Sequence, residues 1–366
     1  SSTRQVFYNN VKIPVENLLG EREGGFKIAV NILNIGRIKL AGGVMGGAKG
    51  AFIDSIKYAN EREQFGRSIS KYGAIRHKLA EQVIKIFSVE SATYRASQNI
   101  DDAINSLIES GMDKGKATLK GIEQFAPECA ILKVVGSECL DYVVDEGVQI
   151  HGGMGFSAET QIERSYRDAR INRIFEGTNE INRMLTVGMI MKKAMKGELD
   201  LMGPAMAVAN ELMGIPDFSD ASDSLFDAEK VCVKNFKKAV LMIAGASAKK
   251  YADQMAKEQE VMMNIADMVN EVYLAESTLL RVEKMVSIRG EESCQEQIDI
   301  MRVFIYDAAD SINKSGKDAL NAFAEGDEMR MMLMGLKRFT KHAPFNAKEA
   351  RQRIALKAIE ANDYCY

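Results

Sequence analysis

The sequence predicts an all-α protein of two helical units, and three observations carry that expectation. Long amphipathic segments follow one another from about residue 26 with shorter connectors between them. The chain holds 21 Met, 5 Pro and no Trp, a balance that suits helical packing better than sheet. A punctuated stretch, Gly203-Pro204 and then Gly214-Ile215-Pro216-Asp217, separates the earlier helices from a later set. At 366 residues the chain is long enough for two domains of ordinary size.

The first residues, SSTRQVFYNNVKIPVENLLGE, alternate like a strand, with Val6 and Tyr8 against Phe7 and Asn9, and then turn at Pro14. A lone strand is not stable without neighbours, so this is either a processed or tagged start or the end of a preceding domain. The first helix is expected over Phe26–Asn60. It carries Gly36, Gly42, Gly43, Gly46, Gly47 and Gly50, each costing about 1 kcal/mol against alanine. The four-residue spacings Gly42–Gly46 and Gly43–Gly47 offer a smooth face to another helix or to a ligand, and helix packing is the favoured reason. A second helix covers Ile75–Ile108, with Ile84, Ile86, Phe87 and Val89 apolar, and Gly111 and Gly115 mark a connection. A third runs from Thr118 to Ile150, interrupted near Pro127, and ends in His151-Gly152-Gly153-Met154-Gly155. A charged piece, Glu159–Arg173, leads to a bend at Glu176-Gly177-Thr178 and a helix to Lys196. The expected layout is a four-helix bundle over 23–198, a linker over 199–221 and an additional helical domain over 222–366. In the last, Val233, Phe236, Val240 and Ile243 keep 3-4-3 spacing, and similar patterns recur through Val272–Val286, Met301–Ile312 and Arg330–Phe339.

A formal net charge of -3 and a pI near 5.9 make no basic field, so nucleic acid is not an expected partner. No apolar run approaches the roughly 18 residues needed to span a bilayer. Five scattered cysteines without a CxxC pair, and only three histidines, argue against a metal site and for a reducing compartment. The expected location is therefore cytoplasmic. The segment Met189–Met213 could lie on a bilayer surface or pack on a second subunit, and both readings stay open.

Four clusters could carry chemistry. In RINRIFEGTNEINR (Arg170–Arg183), Glu176 precedes a glycine-containing bend and a helix, an arrangement that holds a carboxylate at a pocket mouth beside free backbone N–H groups. Arg62-Glu63-Gln64-Phe65-Gly66 closes the first helix and sets a cation beside an aromatic ring, fit for a phosphate and a ring system. Gln149-Ile150-His151-Gly152-Gly153 ends the third helix with glycines that let a nucleotide approach the backbone. Asn34-Ile35-Gly36-Arg37 places a cation among apolar residues, where it needs an anionic or carbonyl partner. Each has a plainer explanation alone: a surface ion pair for Arg62, a helix stop for Gly152-Gly153, a dipole interaction for Glu176.

In this order and separation the clusters resemble one family. PVENLLGE, the Asn34–Arg37 helix, REQFG, QIHGGMGF, ERSYRDARI and RIFEGTNEI make the chain closely similar to the C-terminal half of the acyl-CoA dehydrogenases over about Gln5–Lys196. The helical domain after Gly203 resembles that of the very-long-chain branch, on length and pattern more than on motifs. The resemblance implies an FAD-dependent α,β-dehydrogenation of acyl-CoA to trans-2-enoyl-CoA in fatty acid β-oxidation, with long acyl chains expected. Glu176 is then the base that takes the α-proton, held in a pocket shielded from water, and the β-hydride goes to the flavin. In the family the thioester oxygen is held by the glutamate's backbone N–H and a ribityl hydroxyl of FAD.

By the same resemblance Arg62, Gln64 and Phe65 reach the FAD of a neighbouring subunit, and Gln149, Ile150, His151, Gly152 and Gly153 meet its adenosine diphosphate part. Thr178, Asn179 and Glu180 touch FAD after the base. Asn34, Arg37 and Gly177 line the acyl-CoA site. A shared flavin implies a homodimer, with electron-transfer flavoprotein as the acceptor, and a mitochondrial matrix location in a eukaryote. Gly36 stands where a minority of the family carries the base, which favours Glu176. The family's N-terminal helical domain and most of its middle β-domain have no counterpart here, so residues 1–22 are expected to be a remnant of that β-domain and the chain a C-terminal fragment. A scaffold protein on the same fold and a flavin-dependent acyl-CoA oxidase remain as alternatives.

Overall fold

The computed structural model describes residues 3–214 and 224–366. The part of the expected linker at Ile215-Pro216-Asp217 lies outside the described residues. The rest is almost wholly helical, with one two-stranded ladder. α1 (Gly25–Glu61) and α2 (Gly73–Glu109) are joined by a hairpin of β1 (Glu63–Gln64) and β2 (Arg67–Ser68). Its two-residue loop, Phe65-Gly66, has φ 52° and 83°, the doubly positive geometry that matches strand twist.

The expected third helix is two. α3 (Lys114–Gln124) is capped by Asp113, whose carboxylate accepts from the Lys116 N–H at 3.1 Å, and α4 (Ala126–His151) starts afresh with Pro127 in its first turn. Proline there gives up an N–H that has no helical partner anyway. α5 (Gly153–Phe156) and α6 (Gln161–Ala169) follow, and Arg170–Arg173 forms a 3-10 turn before α7 (Asn179–Met195). The same logic corrects the linker. Gly203 and Pro204 sit in the first turn of α8 (Met202–Met213), so much of the stretch read as connector is helical. α9 (Asp227–Tyr251), α10 (Gln259–Arg289), α11 (Gln295–Phe323) and α12 (Gly326–Phe339) contain the periodic segments of the second unit, and α13 (Ala347–Ala361) closes the chain.

Two further expectations are corrected. Residues 3–22 form no strand; they run as exposed coil with one 3-10 turn at Val15–Asn17, because no described segment lies alongside to pair with them. Among the described residues, Gly42, Gly43, Gly46 and Gly50 of α1 do not seat a neighbouring helix either. A Cβ at Gly42, Gly43, Gly46 or Gly50 would meet nothing within 4 Å among the described residues, and at Gly47 only Leu140 at 3.5 Å. α1 packs on α4 instead through Ala41, Val44, Ala48 and Phe52, with Gly136 of α4 admitting Ala41 and Val44. Against the expectation of no such segment, Ile28–Glu61 is long and apolar enough to cross a bilayer by length and average hydropathy alone, with its polar residues dispersed among the apolar ones.

One continuous core runs through both units, from Phe52 and Phe87 to Phe236, Ile305 and Leu336. α10 lies against α2 and α7, and α13 lies against α2 and α11. The C-terminal residues complete this seam. Tyr364 stands edge-on to Phe52 of α1 at 6.0 Å, and the Lys49 ammonium lies 4.7 Å from its ring centre.

Candidate functional site

Glu176 lies on a bend that α7 and α1 hold from two sides. Its own φ is 60° and that of Gly177 is 82°; the left-handed region is easy for glycine and strained for glutamate. Asn182, fully buried one turn into α7, grips the bend from below. Its amide donates to the backbone oxygens of Glu176 at 3.3 Å, Gly177 at 2.8 Å and Thr178 at 3.1 Å. From α1, the Arg37 Nε donates to the Glu176 carbonyl at 3.2 Å, and Arg37 Nη1 to Asn34 Oδ1 at 3.0 Å. The expected partner of this cation is thus a pair of carbonyl oxygens. Burial pushes the Arg37 guanidinium down from its ordinary value, while Cys129 and Glu176 oppose that shift.

The Glu176 carboxylate rests over α1 at Gly36. A Cβ built on Gly36 would stand 2.7 Å from Oε2 and 2.9 Å from Oε1, so the absence of a side chain there makes the seat. Oε2 is buried and accepts no hydrogen bond from the described residues. Among the described residues the backbone N–H groups of Glu176 and Gly177 also meet no protein acceptor. A buried carboxylate oxygen with two free N–H donors alongside can take a proton from carbon while an adjoining oxygen is held.

The residues after Glu176 have separate tasks. Thr178 caps α7, its hydroxyl accepting from the Ile181 N–H at 3.3 Å. Glu180 is exposed, and hydrogen bonds from its own backbone and the Thr178 hydroxyl hold its carboxyl below the ordinary range. The Asn179 side chain points inward: Oδ1 accepts from the Lys133 ammonium at 2.6 Å, and Nδ2 meets Ser137 and Glu138 at 3.0 Å each. Only its backbone is left to meet a ligand at the bend. Lys133, Ser137 and Asn182 were not singled out from the sequence. For Lys133 the signal was present, a lysine inside the apolar run Ala130–Val135.

The other candidates gather elsewhere. Arg62, Gln64, Phe65, Ile150, His151, Gly152 and Gly153 line one cavity of about 650 Å³, together with Tyr58 and Tyr72. His151 stacks on Tyr58 with ring centres 4.2 Å apart, and its Nδ1 bonds to the Gly147 carbonyl at 2.8 Å. Gly152, at φ 60°, stops α4 and turns the chain so that the backbone of Gly152 and Gly153 forms a wall. Phe65 stands out at the hairpin tip, 92% exposed. The Tyr72 hydroxyl donates to the Gln64 carbonyl at 2.8 Å and fixes the hairpin beneath it. Gln149 is exposed and outside this wall. Asn34, Arg37, Glu176 and Gly177 do not line this cavity, so one chain presents a carboxylate seat and an aromatic-cationic cavity as two places.

Two family models, each described as "Acyl-CoA dehydrogenase, C-terminal domain", match residues 23–191 and 235–338. A probable acyl-CoA dehydrogenase of Bacillus subtilis (strain 168) is 41% identical over 364 residues, covering 100% of this chain and 61% of that protein. The crystal structure of an acyl-CoA dehydrogenase complexed with FAD from Bacillus anthracis superposes with a TM-score of 0.93 at 45% identity, covering 97% of this chain and 60% of that one. The very long-chain specific acyl-CoA dehydrogenase of Rattus norvegicus is 40% identical over 212 residues, 58% of this chain and 29% of that protein. The chain thus spans about three-fifths, or less, of the length of these relatives. With the bend, the glycine seat and the REQFG and QIHGG cavity in their motif positions, the chain belongs to the acyl-CoA dehydrogenase family, matching its C-terminal domains.

Proposed function

We propose that the protein dehydrogenates acyl-CoA thioesters at the α,β positions with FAD, and that Glu176 is the base. The observation that carries this reading is the Glu176 carboxylate itself, set over Gly36 with a buried oxygen to which none of the described residues hydrogen-bonds.

The cavity of about 650 Å³ fits the adenosine diphosphate part of FAD. It offers a guanidinium for a phosphate, close-approach glycine backbone, and the Tyr58, Phe65 and Tyr72 rings for a flat base. When bound, FAD supplies the acceptor for the β-hydrogen. The chain's own residues do the rest. Glu176 removes the α-proton: the α C–H bond breaks, the proton goes to a carboxylate oxygen, and the electron pair moves towards the thioester carbonyl. The Glu176 N–H stands ready to stabilise that oxygen as charge develops. Arg37 and Asn182 hold the bend so that base and donor keep their relative positions. Because the carboxylate seat and the aromatic-cationic cavity are separate in one chain, we take the cofactor to be shared between two copies. Long acyl substrates within β-oxidation, electron-transfer flavoprotein as acceptor, and a cytoplasmic or matrix location belong to the same proposal. The very-long-chain relative supports the first.

Turnover of acyl-CoA by the flavin-loaded whole protein tests the reading. Glu176→Gln is expected to lower it by about 10²–10⁴-fold, the scale of a positioned base, with flavin content unchanged. Wild-type turnover in that variant refutes the assignment. Reoxidation by electron-transfer flavoprotein rather than by air distinguishes a dehydrogenase from an oxidase.

A further inference from the structure

The bend at Glu176 is strained and needs restraint. A glutamate at φ 60° persists only where its surroundings over-determine it. Arg37 and Asn182 hold the carbonyl side, but Asn182 lies on α7 and is only as fixed as the first turn of that helix. What fixes that turn is a relay of side chains that ends on the second helical unit. We propose that the second unit positions Glu176 through this relay, with Asp267 of α10 as its outer positioning residue and Lys133 of α4 as its buried end; the proposal rests on the reading of Glu176 as base.

The relay is continuous. Asp267 Oδ1 accepts from Arg183 Nε at 2.6 Å. The Arg183 fork closes on Glu138, Nη1 to Oε1 at 2.8 Å and Nη2 to Oε2 at 3.0 Å. Glu138 Oε1 accepts from Asn179 Nδ2 at 3.0 Å, and Asn179 Oδ1 accepts from Lys133 Nζ at 2.6 Å and from the Ser137 hydroxyl at 3.2 Å. Asn179 is the first residue of α7, three positions after Glu176. Lys133, Ser137 and Asn179 are all buried, so their polar atoms depend on one another. Burial pushes the Lys133 ammonium down to about 8; such a costly side chain in an apolar helix face has its use in holding Asn179. The bidentate Arg183–Glu138 pair sets direction as well as charge. α10 thereby reads out on the turn that carries the base, and the second unit acquires a task in the chemistry without touching substrate.

Hydrogen exchange of the amides at 174–182, measured by mass spectrometry on the full chain, tests this without passing through catalysis. Asp267→Ala is expected to speed exchange there by about threefold or more. Asp267→Asn, which keeps an acceptor for Arg183, should fall between it and wild type. Glu276→Ala is the control. It removes an α2–α10 ion pair to Arg95 at 3.0 Å and a contact to Lys237, neither of which leads to the bend, and should leave 174–182 unchanged. Combining Asp267→Ala with Lys133→Met should loosen the bend by less than the product of the two single effects. In the flavin-loaded protein, Asp267→Ala lowers kcat by a similar factor at unchanged KM. Unaltered exchange in Asp267→Ala, or equal loosening by Glu276→Ala, overturns the relay. Should Glu176→Gln keep its turnover while Asp267→Ala loosens the bend, the base assignment falls and the relay stands.

Discussion

Replacing Gly36 by alanine separates the seat of the Glu176 carboxylate from the stability of the helix that makes it. The added Cβ would stand 2.7 Å from Glu176 Oε2, 2.8 Å from Cδ and 2.9 Å from Oε1, against an ordinary contact of 3.4 Å or more. The carboxylate must therefore retreat by about 0.5–0.7 Å, the difference between those distances. Folding should not suffer, because the opposing atoms are the far end of a flexible side chain and Gly36 is interior to α1. Alanine there favours the helix by about 1 kcal/mol, a rise in Tm of about 2 °C. Catalysis should suffer, since a misplacement approaching 1 Å costs up to about 10²-fold; a fall of about 10- to 100-fold is expected. Thermal melting and acyl-CoA turnover on the same preparation read both effects. Wild-type turnover in Gly36→Ala would show that the carboxylate is not used where it rests. A Tm lowered by several degrees would show that the position serves packing instead.

Two further outcomes concern the seam between the units. Burial pushes the Glu271 carboxyl up to about 7, opposed by Lys85 and assisted by Asp267, Asp307 and Glu138. The folded state then holds a proton that the unfolded chain releases near 4.5, so wild type loses stability as pH rises from about 4.5 to 7. Glu271→Gln does not titrate, and its advantage in unfolding free energy should grow across that window towards an upper limit of about 3 kcal/mol; a constant difference contradicts this. At the C-terminus, the Tyr364 hydroxyl is buried without a hydrogen-bond partner among the described residues, while its ring packs on Phe52. Tyr364→Phe should be neutral or stabilising, and Tyr364→Ala should cost about 3 kcal/mol in denaturant unfolding. Equal losses from both variants would contradict that division between ring and hydroxyl.

Much of this molecule was legible in the sequence because its signals are periodic or local. The 3-4-3 spacing from Val233 to Ile243 falls within α9, and the His151-Gly152-Gly153 stop coincides with the end of α4. Punctuation was less dependable. Pro127 and Pro204 mark helix starts, and a proline in a first turn looks the same in sequence as one in a connector. The exposed face of α1 shows the matching limit for glycine. Gly42–Gly46 spacing permits close approach but does not say what approaches, whereas Gly36 matters through one side chain 140 residues away. The motif clusters pointed to the Glu176 bend and to residues that line the Arg62–His151 cavity, yet the residues that hold the bend were hidden. Asn182 reads as an ordinary helix residue until its amide is seen across three carbonyls. Lys133 stands out in sequence as a lysine within an apolar run, but what it holds shows only when the fold carries Asn179 to it.

In the proposed role Glu176 exchanges a proton with the α-carbon, and that step can be followed apart from oxidation. The measurement is incorporation of solvent deuterium at the α-position of an acyl-CoA whose β-carbon cannot be oxidised, read by mass spectrometry with the flavin-loaded protein. Wild type should exchange the α-proton, and Glu176→Gln should reduce that exchange by at least about 10²-fold. Equal exchange by the two proteins would mean that another group is the base.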